Sequence, residues 1–324
     1  MQLDNIDQKL LNLLQKEFPL VANPFACIGQ DFGIAENEVI RRLGRLKNEG
    51  TIRQIGPLFD ARRLNYRTTL VAMRATGVEL DKALQIISEH PVSHAYERDH
   101  HFNLWFTLAL PADVDIDKEL KKMMNPVKSE ACFSLPATRL FKLRVFFNTG
   151  GDEQGDSPET PQHGTSQAAD LSQLDKKVIN ESQGDLPLVS HPFRDIAARA
   201  GLDEEKFLEQ CCSLLKKGIL RRFSASVNHR KVGFDANAMV CWVTPPEKVD
   251  AAGQRLASLR EVSHCYERRT NPLWRHNLFA MVHGQEREQC LGIAEKISAE
   301  FELKDYALLY STREFKKMRL KYTV

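Results

Sequence analysis

The chain has 324 residues, 42% hydrophobic and 27% charged, a balance that excludes a disordered or fibrous protein and leaves room for several folded cores. Its net charge of +2 supplies no general field for nucleic acid, and no apolar run approaches the roughly 18 residues that a membrane span requires. Seven cysteines, an odd number without a C-x-x-C pair, read as reduced thiols of a cytoplasmic protein, and the polar start Met1-Gln2-Leu3-Asp4 does not read as a secretory signal.

In chain order, Ile6, Leu10, Leu11, Leu13 and Leu14 recur at helical spacing and predict a first helix over residues 4–16. A second runs from Phe25 to Phe32 and stops at Gly33, and a third runs from Glu36 to Glu49 and stops at Gly50. Thr51 to Phe59 reads as extended. Three helices and a small hairpin predict a winged helix-turn-helix over residues 1–60. Residues 61–147 then alternate as strand Leu70–Arg74, helix Asp81–Glu89, strands Val92–Arg98 and Asn103–Leu110, helix Asp117–Met124, and a last strand within Cys132–Phe146. That β-α-β-β-α-β order is the split βαβ unit of ferredoxin-like domains, with helices on one face and the other free to meet a partner sheet. Asn148 to Asp170 carries five acids and no Lys or Arg among Gly, Ser, Thr, Gln and Pro, the composition of a flexible linker.

The pattern then repeats. At a spacing of 168 residues, Asp7 matches Asp175, Pro19-Leu20-Val21 matches Pro187-Leu188-Val189, and Gly33 and Gly50 match Gly201 and Gly218. The spacing grows to 170 at Val92-Ser93-His94-Ala95-Tyr96-Glu97-Arg98, which returns as Val262-Ser263-His264-Cys265-Tyr266-Glu267-Arg268, and to 174 at Thr138-Arg139, which returns as Thr312-Arg313. So long a period is a fused pair of domain sets, not a solenoid. The fold expected is α+β, a tandem duplication with a second winged helix-turn-helix over residues 171–228 and a second ferredoxin-like domain over 229–324.

Alternate strand residues share a face, so His94, Tyr96 and Arg98 point one way, as do His264, Tyr266 and Arg268. In Asn277-Leu278-Phe279-Ala280-Met281-Val282-His283, the small aliphatics suit the helix-covered face, which turns Asn277, Phe279, Met281 and His283 toward the other half. In the first half, the row continues to His100 if the strand stays regular. Two such faces enclose a pocket of His, Tyr, Arg, Phe and Met suited to an acidic ligand. Each residue also has a plainer reading: a satisfied strand-end histidine, a core tyrosine, an arginine paired with a nearby acid.

These motifs carry a resemblance. A winged helix before a ligand-sensing ferredoxin-like domain resembles the Lrp/AsnC family. Phe18-Pro19-Leu20-Val21 with Pro24-Phe25, Tyr96-Glu97-Arg98-Asp99-His100 with Asn103-Leu104-Trp105-Phe106, and His264-Cys265-Tyr266 with Asn277 to Gly284 resemble the sirohaem decarboxylases within it. The similarity covers both halves apart from the linker, as in a fusion of two partner subunits. It implies loss of carbon dioxide from two acetate side chains of sirohaem to give didecarboxysirohaem, in haem d-type or alternative haem biosynthesis. It implies no organic cofactor and no metal of the protein's own, because the iron belongs to the tetrapyrrole substrate. His100 and His283, each carried over from its own half's motif, are the expected proton donors. His94, Tyr96, Arg98, His264, Tyr266, Arg268, His276 and Asn277 are the expected substrate-binding set. Sirohaem is a polycarboxylate, and the guanidinium fork suits carboxylates. The two halves are expected to form an intramolecular pseudo-dimer; a homodimer and contacts with other tetrapyrrole-pathway proteins stay open.

Two rivals stand beside this reading, a non-catalytic haem-binding sensor and a DNA-binding regulator. Arg41, Arg42, Arg45 and Lys47 could reach phosphates from the third helix, but Asp203, Glu204, Glu205 and Glu209 oppose it in the second copy. Arg53, Arg62, Arg63, Arg221, Arg222, Arg230 and Lys231 around the wings, and Arg139, Lys142, Arg313 and Lys316 on the last strands, form a second tier of cations.

Overall fold

The structure is a computed structural model that describes residues 3–129, 131–143, 167–233 and 236–324; the predicted linker falls mainly on residues outside these, as does the side chain of Arg230. The first half runs α1 (Asn5–Lys16), α2 (Pro24–Phe32), α3 (Glu36–Asn48), β1 (Ile52–Phe59), β2 (Tyr66–Met73), α4 (Val78–Glu89), β3 (Val92–Arg98), β4 (Leu104–Pro111), α5 (Ile116–Met124) and β5 (Cys132–Leu143). The second runs α6 (Gln173–Ser182), α7 (Arg194–Arg199), α8 (Glu204–Lys216), β6 (Leu220–Val227), β7 (Ala236–Trp242), α9 (Pro246–Ser258), β8 (Val262–Arg268), β9 (Leu278–Gly284), α10 (Arg287–Glu300) and β10 (Tyr306–Lys317). Gly33 and Gly50 end their helices at φ of 65° and 73°, which a side chain would strain.

One expectation is corrected at the wing. Among the described residues neither half forms its own hairpin: β1 pairs antiparallel with β6 of the other half, Ile55 opposite Ala225 and Pro57 opposite Phe223. Among the described residues each half has one wing strand, and in the first half Asp60 leads through a turn at Asn65 (φ 61°) straight into β2. The unpaired edge is satisfied by its twin. Beneath this shared sheet the two helix triplets bury one common core, with Phe18 against Phe25, Phe193 and Phe223 at centroid distances of 5.7, 6.3 and 5.7 Å.

The two ferredoxin-like sheets do not stack as separate layers but join edge to edge. The order β10-β3-β4-β2-β5-β8-β9-β7 closes into one barrel, with β5 on β8 and β10 on β3 as the seams between halves. Strand parity sorts the residues as expected: Leu278, Ala280 and Val282 pack under α9 and α10, whereas Phe279 and Met281 face the barrel interior.

Each last strand overshoots its own half. Phe141 enters the helix-covered core of the second half against Gly253, and Phe315 packs on that of the first. Lys142 donates to the Leu259 carbonyl at the end of α9 (2.6 Å), and Lys316 donates to the Ile87, Ser88 and His90 carbonyls at the end of α4 (2.9, 3.3 and 3.2 Å). Both lysines thus cap the negative end of the opposite half's helix. Beyond β10 the chain crosses the wing sheet, where the Arg319 guanidinium donates to the Gly56, Pro57 and Ser224 carbonyls.

Candidate functional site

The pseudo-twofold that relates the halves sets β3 and β8 in the same sense on opposite sides of the barrel, so their His-x-Tyr-x-Arg rows face one another. His94 and His264 lie at the mouth covered by the wing sheet. There Lys317 is paired in register with His94, and Arg53 of β1 forms an ion pair with Glu314 (2.7 Å). Tyr96 and Tyr266 lie one layer deeper, each stacked on its own histidine at 6.3 and 6.4 Å. Arg98 and Arg268 fold back over those rings at 5.4 and 4.7 Å.

His94, Tyr96, His264 and Tyr266 keep accessible surface although protein surrounds them. Burial pushes the imidazoles down, to about 4 for His94 and about 3 for His264, and neighbouring positive charge from Lys317 adds to both. These partly accessible side chains line a hollow at the wing-side mouth of the barrel.

The arginines form its cationic wall. Arg98 donates to the Leu309 carbonyl of the other half (2.9 Å) and to Met281 Sδ (3.7 Å); Arg268 donates symmetrically to the Leu135 carbonyl (2.9 Å). Neither guanidinium forms an ion pair with a carboxylate side chain among the described residues, and the Nε of each is buried without a partner. Desolvation lowers both, Arg98 to about 10. A buried cation without a counter-ion is costly unless an anion arrives.

The second half carries an addition at this mouth. A β-bulge at Ser263, where Val262 faces Val282 but His264 already faces Met281, turns the serine out of alternation. Its Oγ lies 2.8 Å from His264 Nδ1 and 2.7 Å from His283 Nε2. Ser93 sits in the same bulge of the first half, 2.8 Å from His94 Nδ1, but the place of His283 is taken there by Ala109. Ser263 was not legible in the sequence, because regular parity sends it to the helix face.

His100 is placed elsewhere. The strand ends at Arg98, the His100 N–H turns back onto the Arg98 carbonyl (2.8 Å), and the ring meets Trp274 at 5.3 Å at the opposite mouth of the barrel. His276 joins it there, 4.8 Å from the Trp274 ring and 3.4 Å from Asp305, and burial is the main cause that lowers both imidazoles. Between the mouths, Phe102, Trp105, Phe133, Trp274 and Phe279 fill the barrel. The two expected donors therefore do not meet. His101 turns outward to Arg74. Asn277 has other work: its amide bonds the Thr244 N–H and C=O at 2.8 Å each, as Asn103 does with Ala75 at 3.0 and 2.8 Å. It holds a loop.

A cleft of about 880 Å³ outside the barrel, between Leu20–Ala22 and α8, is lined by Glu204, Glu205 and Glu209 and would repel a polycarboxylate. The cations of α3 are committed as well, Arg42 to Asp4, Asp7 and Glu38, Arg45 to Asp7, and Lys47 to Asp185.

Comparison with known proteins agrees with this architecture. Residues 63–142 and 231–316 match the family described as "AsnC-like ligand binding domain", and residues 7–53 and 175–221 match the "Siroheme decarboxylase NirDL-like HTH domain". The chain is 38% identical over 316 residues to a sirohaem decarboxylase of Hydrogenobacter thermophilus, covering 97% of this chain and 94% of that protein. It is 31% identical over 324 residues to the sirohaem decarboxylase NirDL subunit of Paracoccus denitrificans, covering 98% and 97%. A crystal structure of the sirohaem decarboxylase NirDL aligns over 99% of this chain and 95% of that one, with 36% identity and a TM-score of 0.71, and a second aligns equally well and is a co-complex with an iron-uroporphyrin III analogue. The chain belongs to the sirohaem decarboxylase family, in the form that joins both halves in one polypeptide.

Proposed function

We propose that the chain removes carbon dioxide from two acetate side chains of sirohaem to give didecarboxysirohaem, for haem d-type or alternative haem biosynthesis. The observation that carries this reading is the pair of arginines, each with a buried, unpartnered Nε and no carboxylate ion pair among the described residues, that stand with three histidines in the barrel. Each loss breaks the bond from the acetate CH2 to its carboxylate and leaves the electron pair on that carbon. Carbon dioxide departs, and one proton must arrive to form the methyl group. Arg98 and Arg268 hold other carboxylates of the macrocycle, with His94, Tyr96, His264 and Tyr266 around it. The iron is the substrate's own.

The histidines gain their acidity from the substrate. Burial and neighbouring cations disfavour the charged form of His94 and His264. A polycarboxylate reverses the sign of that field, and the same reversal favours the imidazolium form of the donor beside them. His283 serves the wing-side mouth, and His100, with His276 beside it, serves the far mouth, one donor for each acetate. Four committed cations on α3 speak against the DNA-binding alternative, and seven free thiols support the cytoplasmic assignment.

Anaerobic incubation with sirohaem, followed by mass measurement of the tetrapyrrole, tests the reading. Loss of two carbon dioxide units is expected. Unchanged sirohaem that stays bound would instead favour the haem-binding sensor.

A further inference from the structure

We infer that Ser263 is a positioning residue that ties His264 and His283 to the same tautomer, both Nε2–H or both Nδ1–H, and couples their protonation, so that the wing-side proton delivery belongs to the second half alone. The inference rests on the reaction proposed above for its kinetic consequence, but its structural basis is independent. Ser263 is 6% exposed and His283 is 7% exposed, so bulk water does not compete for these contacts. One hydroxyl carries one proton. At 2.8 and 2.7 Å from two imidazole nitrogens it donates to one and accepts from the other. The ring that accepts from Ser263 carries its own proton on the far nitrogen. The ring that donates to Ser263 presents a lone pair on its far nitrogen and becomes an acid when that site takes a proton.

His264 feels His283, His94, Lys317 and Arg268, so a second positive charge is resisted and the two rings share one proton more readily than they hold two. The net step consumes one proton per carboxylate lost, supplied from solvent through the coupled pair to the acetate CH2. The duplication provides the control within the molecule. Ser93 makes the same contact to His94, but with Ala109 opposite it has no second ring to couple.

The test uses the full chain carrying Ser263→Ala, Ser263→Thr or Ser93→Ala. In 15N-histidine NMR titrations without substrate, Ser263→Ala is expected to shift the tautomer balance of both His264 and His283, Ser263→Thr to restore it, and Ser93→Ala to shift that of His94 only. In anaerobic turnover, Ser263→Ala is expected to slow the His283-dependent carbon dioxide loss on the order of 10- to 100-fold, with sirohaem affinity within about threefold, and Ser263→Thr to recover most of the rate. Unmoved His264 and His283 resonances in Ser263→Ala overturn the coupling. Shifted resonances with an unchanged decarboxylation rate overturn the positioning role. Failure of the reaction itself would show as an inactive unmodified chain whose histidines still shift together, which separates the two claims.

Discussion

Arg98 and Arg268 each use part of the guanidinium on a carbonyl of the opposite half and keep a buried Nε without a partner, so truncating them has two separable effects. Arg98→Ala leaves the Leu309 carbonyl without its donor, at a cost of about 1–3 kcal/mol, and removes a carboxylate clamp. Arg98→Lys retains charge but not the fork, and anaerobic absorbance titration should show sirohaem bound on the order of tenfold more weakly. His94 and His264 set a pH dependence of stability. Their folded values, about 4 and about 3, lie below the ordinary 6.5, so below 6.5 the unfolded chain takes up protons that the folded chain refuses. Stability should fall as pH drops from about 6.5 to about 5, a window in which ordinary carboxylates remain ionised. Melting curves of His94→Gln/His264→Gln should be flatter across that window. The His-x-Tyr-x-Arg rows were legible because period-two alternation holds from His94 to Arg98 and from His264 to Arg268. Ser263 was hidden by its bulge, and His100 was misplaced along the row because the strand stops at Arg98.

At the scale of elements, the barrel depends on strands that cross between halves. A Cβ on Gly253 would stand 2.5 Å from the Phe141 ring, which is itself buried in the core of the second half. Gly253→Ala should therefore destabilise the chain by about 1–3 kcal/mol through overpacking, read as a lower urea midpoint, whereas Gly292→Ala, with open space around it, should not. The β-α-β-β-α-β order was readable from periodicity and glycine stops alone. The partners of its edges were not, since β5 and β10 carry only local signals and their pairing with β8 and β3 is a contact between halves. For the same reason the wing looked like a hairpin until β1 met β6.

For the molecule as a whole, the halves share a helical core, a two-stranded wing sheet and both barrel seams. Cleavage between Gly150 and Ala169 should leave them associated on a sizing column at micromolar concentration, because the covalent link only raises their effective concentration. Separation into two peaks would contradict the shared barrel. In the proposed reaction an acetate receives its proton from His283 in the wing-side hollow. The most direct test of that transfer is the mass of the tetrapyrrole recovered after anaerobic incubation of sirohaem with the His283→Ala chain. Retained binding with no more than one carbon dioxide lost is the predicted result, and loss of both at the unmodified rate would contradict it.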